Sequence, residues 1–363
     1  MNETTPTLSP VESWPPVSRL PDAELCKRIA AARSVDELKR IAAALPEVQL
    51  AMLGIGLHAV AQGRRIAALV DACTCRLITL AEQEMGPAPA AYAWLACGSQ
   101  GRGEQTIHTD QDNALIHADG LDADTLDWFR KLAVFVTDGL AGCGIPHCPG
   151  GVSPVEADWR RDCRAWRERL LDTVTRPQGR DVMLASHYFD LRVVHGDAAL
   201  FDPIRNEALA AAAGNSRFLG LLGENVLRGA AGVDGLLKRL RGRLIANSEE
   251  YTELKKKLLL PVSQLALHYA LRGGLVARNT QDRLEAAEQA GTLGRAEAAD
   301  LSTAYALATQ LRLEHLAYCL RQGEALSNSI ALARLGPLQR RYLQQAVSVT
   351  RRARRALRLA LGG

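Results

Sequence analysis

Leu95-Ala96-Cys97-Gly98-Ser99-Gln100-Gly101-Arg102-Gly103-Glu104-Gln105, followed by Thr109-Asp110-Gln111-Asp112-Asn113-Ala114-Leu115, is the stretch on which the fold turns. It opens as a short apolar run, Tyr92 to Cys97, closed by Gly98, which suits a buried strand. Gly98, Gly101 and Gly103 then let the backbone come close to a ligand, and N–H groups at a following helix start favour an anion such as phosphate. No Gly-Lys-Ser/Thr follows and the glycines are not spaced as in a dinucleotide fingerprint, so neither of those loops is present. Ser99 lacks a Gly-x-Ser-x-Gly elbow and reads as a phosphate ligand rather than a nucleophile.

Asp110 and Asp112 stand two apart at the start of a second strand, Asn113 to His117. Period-two geometry puts both carboxylates on one face, where they repel unless cations sit between them. Magnesium takes a few carboxylates and completes its shell with water and phosphate oxygens. An Asp pair beside a phosphate-gripping loop is therefore the arrangement expected for metal-assisted nucleotidyl transfer.

The rest of the chain supplies the frame. It has 363 residues, 47% hydrophobic and only 5% aromatic, so an ordinary globular core must be built from Leu, Ala and Val. Ala-Leu-Arg richness predicts mostly helix, with one sheet. Residues 1 to about 20, with Pro6, Pro10, Pro15 and Pro16, read as a flexible lead. Apolar spacing from Asp22 to Leu80 predicts three or four helices, stopped by Gly86 and Pro87. Helices are expected over Trp128–Leu140 and Trp159–Thr173, and a third strand over Tyr188–Val194. From Arg217 onward only bundle helices are expected: Phe218–Leu227, Val262–Leu271, Thr280–Ala290, Ala296–Leu320 and Leu338–Leu361.

The net charge of +4 is unevenly spread, because Ala325 to Gly363 carries eight Arg and no acid. The most apolar stretch, Leu45 to Ala61, is broken by Glu47 and His58, and the N-terminus lacks a basic-then-apolar leader, so a cytoplasmic protein without membrane association is expected. The eight cysteines then read as free thiols. Cys143, His147 and Cys148 have no second Cys pair to complete a zinc site.

Gly98-Ser99, the ten-residue gap and Asp110-x-Asp112 resemble the signature of the polymerase-beta-type nucleotidyltransferase superfamily. The fuller strings GSQGRGEQ and TDQDNAL resemble a bacterial nucleotidyltransferase family within it, one similar to PII-protein uridylyltransferases. Gly144-Ile145-Pro146-His147-Cys148-Pro149-Gly150-Gly151, Phe189-Asp190-Leu191-Arg192 and the helical C-terminal part extend the likeness, the last resembling that family's substrate-binding domain. After CPGG the family's Met-Ala-type segment is replaced by Val152-Ser153-Pro154-Val155-Glu156-Ala157-Asp158. No CBS or cyclic-nucleotide sequence precedes the helical prefix, so regulation through such modules is not expected.

The resemblance implies an α+β fold: a small mixed-sheet nucleotidyltransferase core at 87–215, after a flexible lead (1–21) and a helical prefix (22–86), and before a helical substrate-binding domain (216–363). It implies Asp110, Asp112 and Asp190 as catalytic, metal-holding carboxylates, with Asp190 on a strand beside the pair. It further implies Gly98 and Ser99 as nucleotide contacts, and a two-ion Mg2+ site with a nucleoside triphosphate as substrate; Arg102 reads either as a further contact to the triphosphate or as a solvated loop arginine. A salt bridge to Arg192 or another core arginine is the competing reading of Asp190. A protein hydroxyl is the acceptor the likeness suggests, with uridylyl or adenylyl as the transferred group. The Arg-rich last helix would also suit an anionic small molecule or RNA. The rival readings are a non-catalytic nucleotide-binding regulator and a nucleic-acid-binding helical protein; the low aromatic content weighs against the latter.

Overall fold

The computed structural model describes residues 21–229 and 251–362, together with Val233, Gly235, Leu236 and Leu240; the expected N-terminal lead lies outside the described residues. Four helices come first: α1 (Pro21–Ala31), α2 (Val35–Ala42), α3 (Leu45–Gly54) and the long α4 (Ala59–Met85), which ends at Gly86. Ser34 starts α2 by accepting a hydrogen bond from the Glu37 N–H, and Pro46 occupies the first turn of α3, where its missing N–H costs nothing.

The sheet follows. Strands β1 (Tyr92–Ala96), β2 (Asn113–His117), β3 (Arg160–Asp162) and β4 (Arg192–Gly196) lie in the order β3-β2-β1-β4. β1 runs antiparallel to both β2 and β4, with Leu95 opposite Ala114, while β3 joins β2 in parallel, so the sheet is mixed and the fold α+β. Both faces are covered, which is why β1 reads as an unbroken apolar run and β2 keeps Ala114, Leu115 and Ile116 at its centre. Tyr92, Trp94 and Leu115 pack with the four N-terminal helices and, past the single turn α5 (Gly98–Gly101), with α6 (Ala123–Gly142). Ala93, Leu95, Ala114 and Ile116 pack against α7 (Cys163–Thr175), α8 (Gly179–Asp190), α9 (Asp202–Ala213) and α10 (Ser216–Gly229).

A second unit gathers around its own core of leucines and alanines, formed by α11 (Leu260–Arg272), α12 (Thr280–Gln289), α13 (Arg295–Gln322) and α14 (Pro337–Ala360). Two short antiparallel strands lie beside it, β5 (Tyr251–Glu253) and β6 (Ser329–Ala331), with Thr252 opposite Ile330. A single π-helical turn, Lys255–Leu259, leads from β5 into α11.

Three expectations are corrected. The strand expected over Tyr188–Val194 is half helix: α8 runs through Asp190, and β4 begins only at Arg192. Val182, Ala185, Tyr188 and Phe189 are buried with helical spacing, so the aromatic pair belongs to an amphipathic face rather than a pleat. Trp159 closes a 3-10 turn instead of opening a helix; Arg160–Asp162 form edge strand β3, and Asp162 caps α7 by accepting the Ala165 N–H at 2.7 Å. The C-terminal part is not helix alone, since β5 and β6 pair within it.

Candidate active site

The carboxylate pair is built by alternation. Gln111, between the two aspartates, points inward, and its amide donates to the carbonyls of Thr137 at 2.9 Å and Ile145 at 3.0 Å. Asp110 and Asp112 are thereby sent to the opposite side. The Cys97 N–H donates to the Asp112 carbonyl at 2.9 Å, which ties the pair to the glycine loop. Gly98 has φ of +56°, and a Cβ there would stand 2.3 Å from Asp112 Oδ2, so only glycine lets this loop and this carboxylate meet.

A third ligand-type atom joins them. Residues 146–152 run beside the start of β2, with the Gln111 N–H donating to Pro146 O at 3.0 Å and the Asn113 N–H to Val152 O at 3.3 Å. This brings Cys148 Sγ into a cluster with carboxylate oxygens of Asp110 and Asp112, all within 4.8 Å of one another. Burial and the bond its thiol gives to Asp112 push Cys148 up to about 11. Burial first, and then the charge of Asp110, raise Asp112 above the ordinary carboxylate range, against the lowering influence of Cys148. Two carboxylates that repel each other, with a thiol beside them, suit a divalent cation; the oxygens fit Mg2+ or Mn2+, and the sulfur adds a softer position.

The loop after Gly98 forms one helical turn, Gly98–Gly101, and Ser99 Oγ lies 3.1 Å from Thr109 Oγ1, directly before Asp110. The first N–H groups of the turn have no partner inside it. Behind the loop, Asp71 on α4 accepts from Gln100 Nε2 at 2.9 Å and from Arg192 Nη2 at 3.0 Å. Gly101 packs so closely that a Cβ would stand 2.3 Å from the carbonyl oxygen of Asp190.

Asp190 and Arg102 are placed differently from the other sequence-derived site residues. Asp190 lies at the end of α8, 1% exposed, with Arg102 Nη1 2.5 Å from Oδ2 and Arg283 Nη2 2.7 Å from Oδ1. The guanidinium of Arg102 is shared with Glu104 at 2.7 Å. Burial alone would lower the Arg102 pKa, but Glu104 and Asp190 together raise it well above its usual value. Glu104 in turn accepts the Thr280 N–H at 2.6 Å, and Asn279 Nδ2 donates to Arg102 O at 2.9 Å. The structure therefore brings Gly98, Ser99, Asp110 and Asp112 together. Asp190 and Arg102 form an ion-paired seam between the sheet unit and the C-terminal helices, with Arg283 in the place held open for a core arginine.

Two cations that sequence reasoning missed come from the C-terminal unit. Lys255 Nζ lies 3.9 Å from Asp110 Oδ1. Arg312, on α13, donates to His108 O at 3.1 Å and to Asn328 Oδ1 at 2.7 Å, and burial pushes it down to about 10. Burial, then Arg312 and Lys255, lower the pKa of His108. In the sequence Cys148 belongs to the CPGG string and to a Cys-His group without a second Cys pair, and neither gives a reason to place it beside the aspartates.

Comparison with known proteins gives two family matches. Residues 43–180 match the profile of a family described as putative nucleotidyltransferase DUF294, and residues 216–361 match one described as putative nucleotidyltransferase substrate binding domain. No curated protein matches the chain. Among the described residues, no helix is long and apolar enough to cross a membrane.

Proposed function

The chain belongs to the DUF294 nucleotidyltransferase family, with that family's substrate-binding domain, and from this premise we propose that it moves a nucleoside monophosphate from a triphosphate to an acceptor hydroxyl. The observation that carries the reading is the Asp110–Asp112–Cys148 cluster, held against a glycine that leaves room for nothing larger. Asp110 and Asp112 would hold Mg2+, which when bound supplies charge neutralisation for the triphosphate. The turn Gly98–Gly101 and Ser99 would bind phosphate oxygens. In the transfer, an acceptor oxygen bonds to the α-phosphorus, the bond from that phosphorus to the β-phosphate oxygen breaks, pyrophosphate departs and the hydroxyl proton leaves to water. Asp190 and Arg102 act here by fixing the loop, through Glu104 and Gly101, rather than by touching substrate.

The acceptor this reading favours is a protein hydroxyl, the class served by the PII-protein uridylyltransferases that the motifs resemble. The surface for it would be the side of the C-terminal unit that carries Lys255, 3.9 Å from Asp110, and Arg312, whose charge also acts on Asp110. A second reading, nucleotide binding without transfer, is favoured by one observation: Asp190 is committed to two arginines, leaving two carboxylates at the cluster. Incubating the protein with each α-phosphate-labelled NTP, Mg2+ or Mn2+, and candidate acceptors separates the two. Transfer predicts labelled acceptor with stoichiometric pyrophosphate, and a loss of about 100-fold or more in Asp112→Asn. Metal-dependent binding without pyrophosphate release under any acceptor condition would favour the regulator.

A further inference from the structure

Lys255 belongs to the C-terminal unit by chain position and to the carboxylate cluster by geometry. Its placement is firm at the backbone: β5 pairs with β6, Leu254 and Leu258 on either side are fully buried, and the π turn begins at Lys255 itself. A π turn inserts one residue into the helical register, re-aims the side chains around it and recurs at functional sites. The head group is held loosely by contrast. At 3.9 Å from Asp110 it is beyond hydrogen-bond distance, and its side chain is 37% exposed. Arg312, its neighbour, spends its donors on the His108 carbonyl and Asn328, which anchors the segment leading to Asp110.

We propose that Lys255 is a phosphate-binding residue contributed to the active site by the C-terminal domain, balancing Asp110 when the site is empty of cation and pairing with the nucleotide's phosphates when it is loaded. The inference rests on the nucleotidyltransferase reading above. A divalent ion held by Asp110 and Asp112 would take over the charge that Lys255 balances and repel the ammonium, and a triphosphate held at the same site would offer it an anion in exchange. The domain that selects the acceptor would thus also sense whether the nucleotide is in place.

A lysine that merely stabilised the fold would, when removed, weaken every property together. This one should produce opposed shifts. In the full-length protein, Lys255→Met is expected to bind Mn2+ alone about 3- to 10-fold more tightly, because a competing cation is gone. The same variant should bind ATP and UTP, at saturating Mg2+, about 10- to 100-fold more weakly, the worth of a charge-assisted hydrogen bond. Lys255→Arg should recover most of the triphosphate affinity. Electron paramagnetic resonance of free Mn2+ and calorimetry of nucleotide binding read the two quantities, with melting temperature as the check on folding. Unchanged triphosphate affinity in Lys255→Met, or loss of both affinities together, would overturn the inference while leaving the nucleotidyltransferase reading intact. Wild-type protein that binds neither nucleotide with metal would overturn both.

Discussion

Asp112 and Asp190 flank the same glycine turn and live under opposite rules. Asp112 approaches it through its side chain, against Gly98, in company with another carboxylate and a thiol; Asp190 approaches through its carbonyl, against Gly101, with its carboxylate fixed between two arginines. One acid stands beside a second carboxylate and the other between two cations. The residue type is the same, so its partners, not its identity, decide whether it can do chemistry or hold the scaffold.

The largest expected effect breaks the comparison at its structural side. Asp190→Asn leaves Arg102 and Arg283, the latter 2% exposed, facing each other without the charge between them. Removing one partner of a buried pair costs about 3–5 kcal/mol. A marked drop in melting temperature by calorimetry is expected, with nucleotide binding lost in proportion to unfolding. If Asp190→Asn instead melts with the wild type while transfer disappears, Asp190 is a metal carboxylate after all and the contrast with Asp112 fails.

Why the placement of one aspartate was legible and that of the other was not follows from the distances in sequence over which each is specified. Asp110 and Asp112 are set by strictly local rules: alternation around Gln111, a glycine that must be small and a strand that must be apolar. Asp190 depends on Arg102 and Arg283, 88 residues before it and 93 after it, and no periodicity announces such a pairing. Its local context misled as well, since Tyr188-Phe189-Asp190-Leu191-Arg192-Val193-Val194 has strand-like composition across what is a helix end and a strand start. Strands β3, β5 and β6 have three residues each, too few for an alternation to register, and β3 carries Arg-Arg-Asp, the charge pattern of an exposed edge. Lys255 was hidden for the same reason as Arg283: its meaning lies in residues 145 positions away.

A pair of alanine substitutions sharpens the contrast at the turn itself. At Gly101 a Cβ meets two backbone oxygens, Asp190 O at 2.3 Å and Ala96 O at 2.9 Å, neither of which can swing aside. Gly101→Ala should therefore cost about 1–3 kcal/mol through overpacking and shift the seam. At Gly98 the Cβ meets a side-chain oxygen, and the positive φ adds about 1–2 kcal/mol. Gly98→Ala should cost a similar amount of stability but displace Asp112, so its metal-dependent nucleotide affinity should fall by more than its melting temperature accounts for. Equal losses of affinity in the two variants, at matched fractions folded, would show that the turn acts as one structural unit.

The smallest effect tests the other side, and its sign is the point. Burial and Asp110 raise the Asp112 pKa, so its folded value exceeds the unfolded value of about 3.9. Such a group contributes stability that is present below the unfolded pKa and lost as the pH rises through the folded one, because the native state then holds a charge it disfavours. At neutral pH, with metal chelated, wild-type protein bears this penalty and Asp112→Asn does not; the new amide oxygen still accepts from Cys148. The variant should melt a few degrees higher at most, and the difference should narrow as the pH is lowered through the raised folded pKa toward the unfolded value of about 3.9, because protonation removes the charge the native state disfavours. Saturating Mg2+ should reverse the order, since only the carboxylate pair gains from the ion. Were Asp112→Asn less stable than wild type at neutral pH in chelator, Asp112 would be a paired structural acid of the Asp190 kind, and the cation-seeking side of the comparison would be lost.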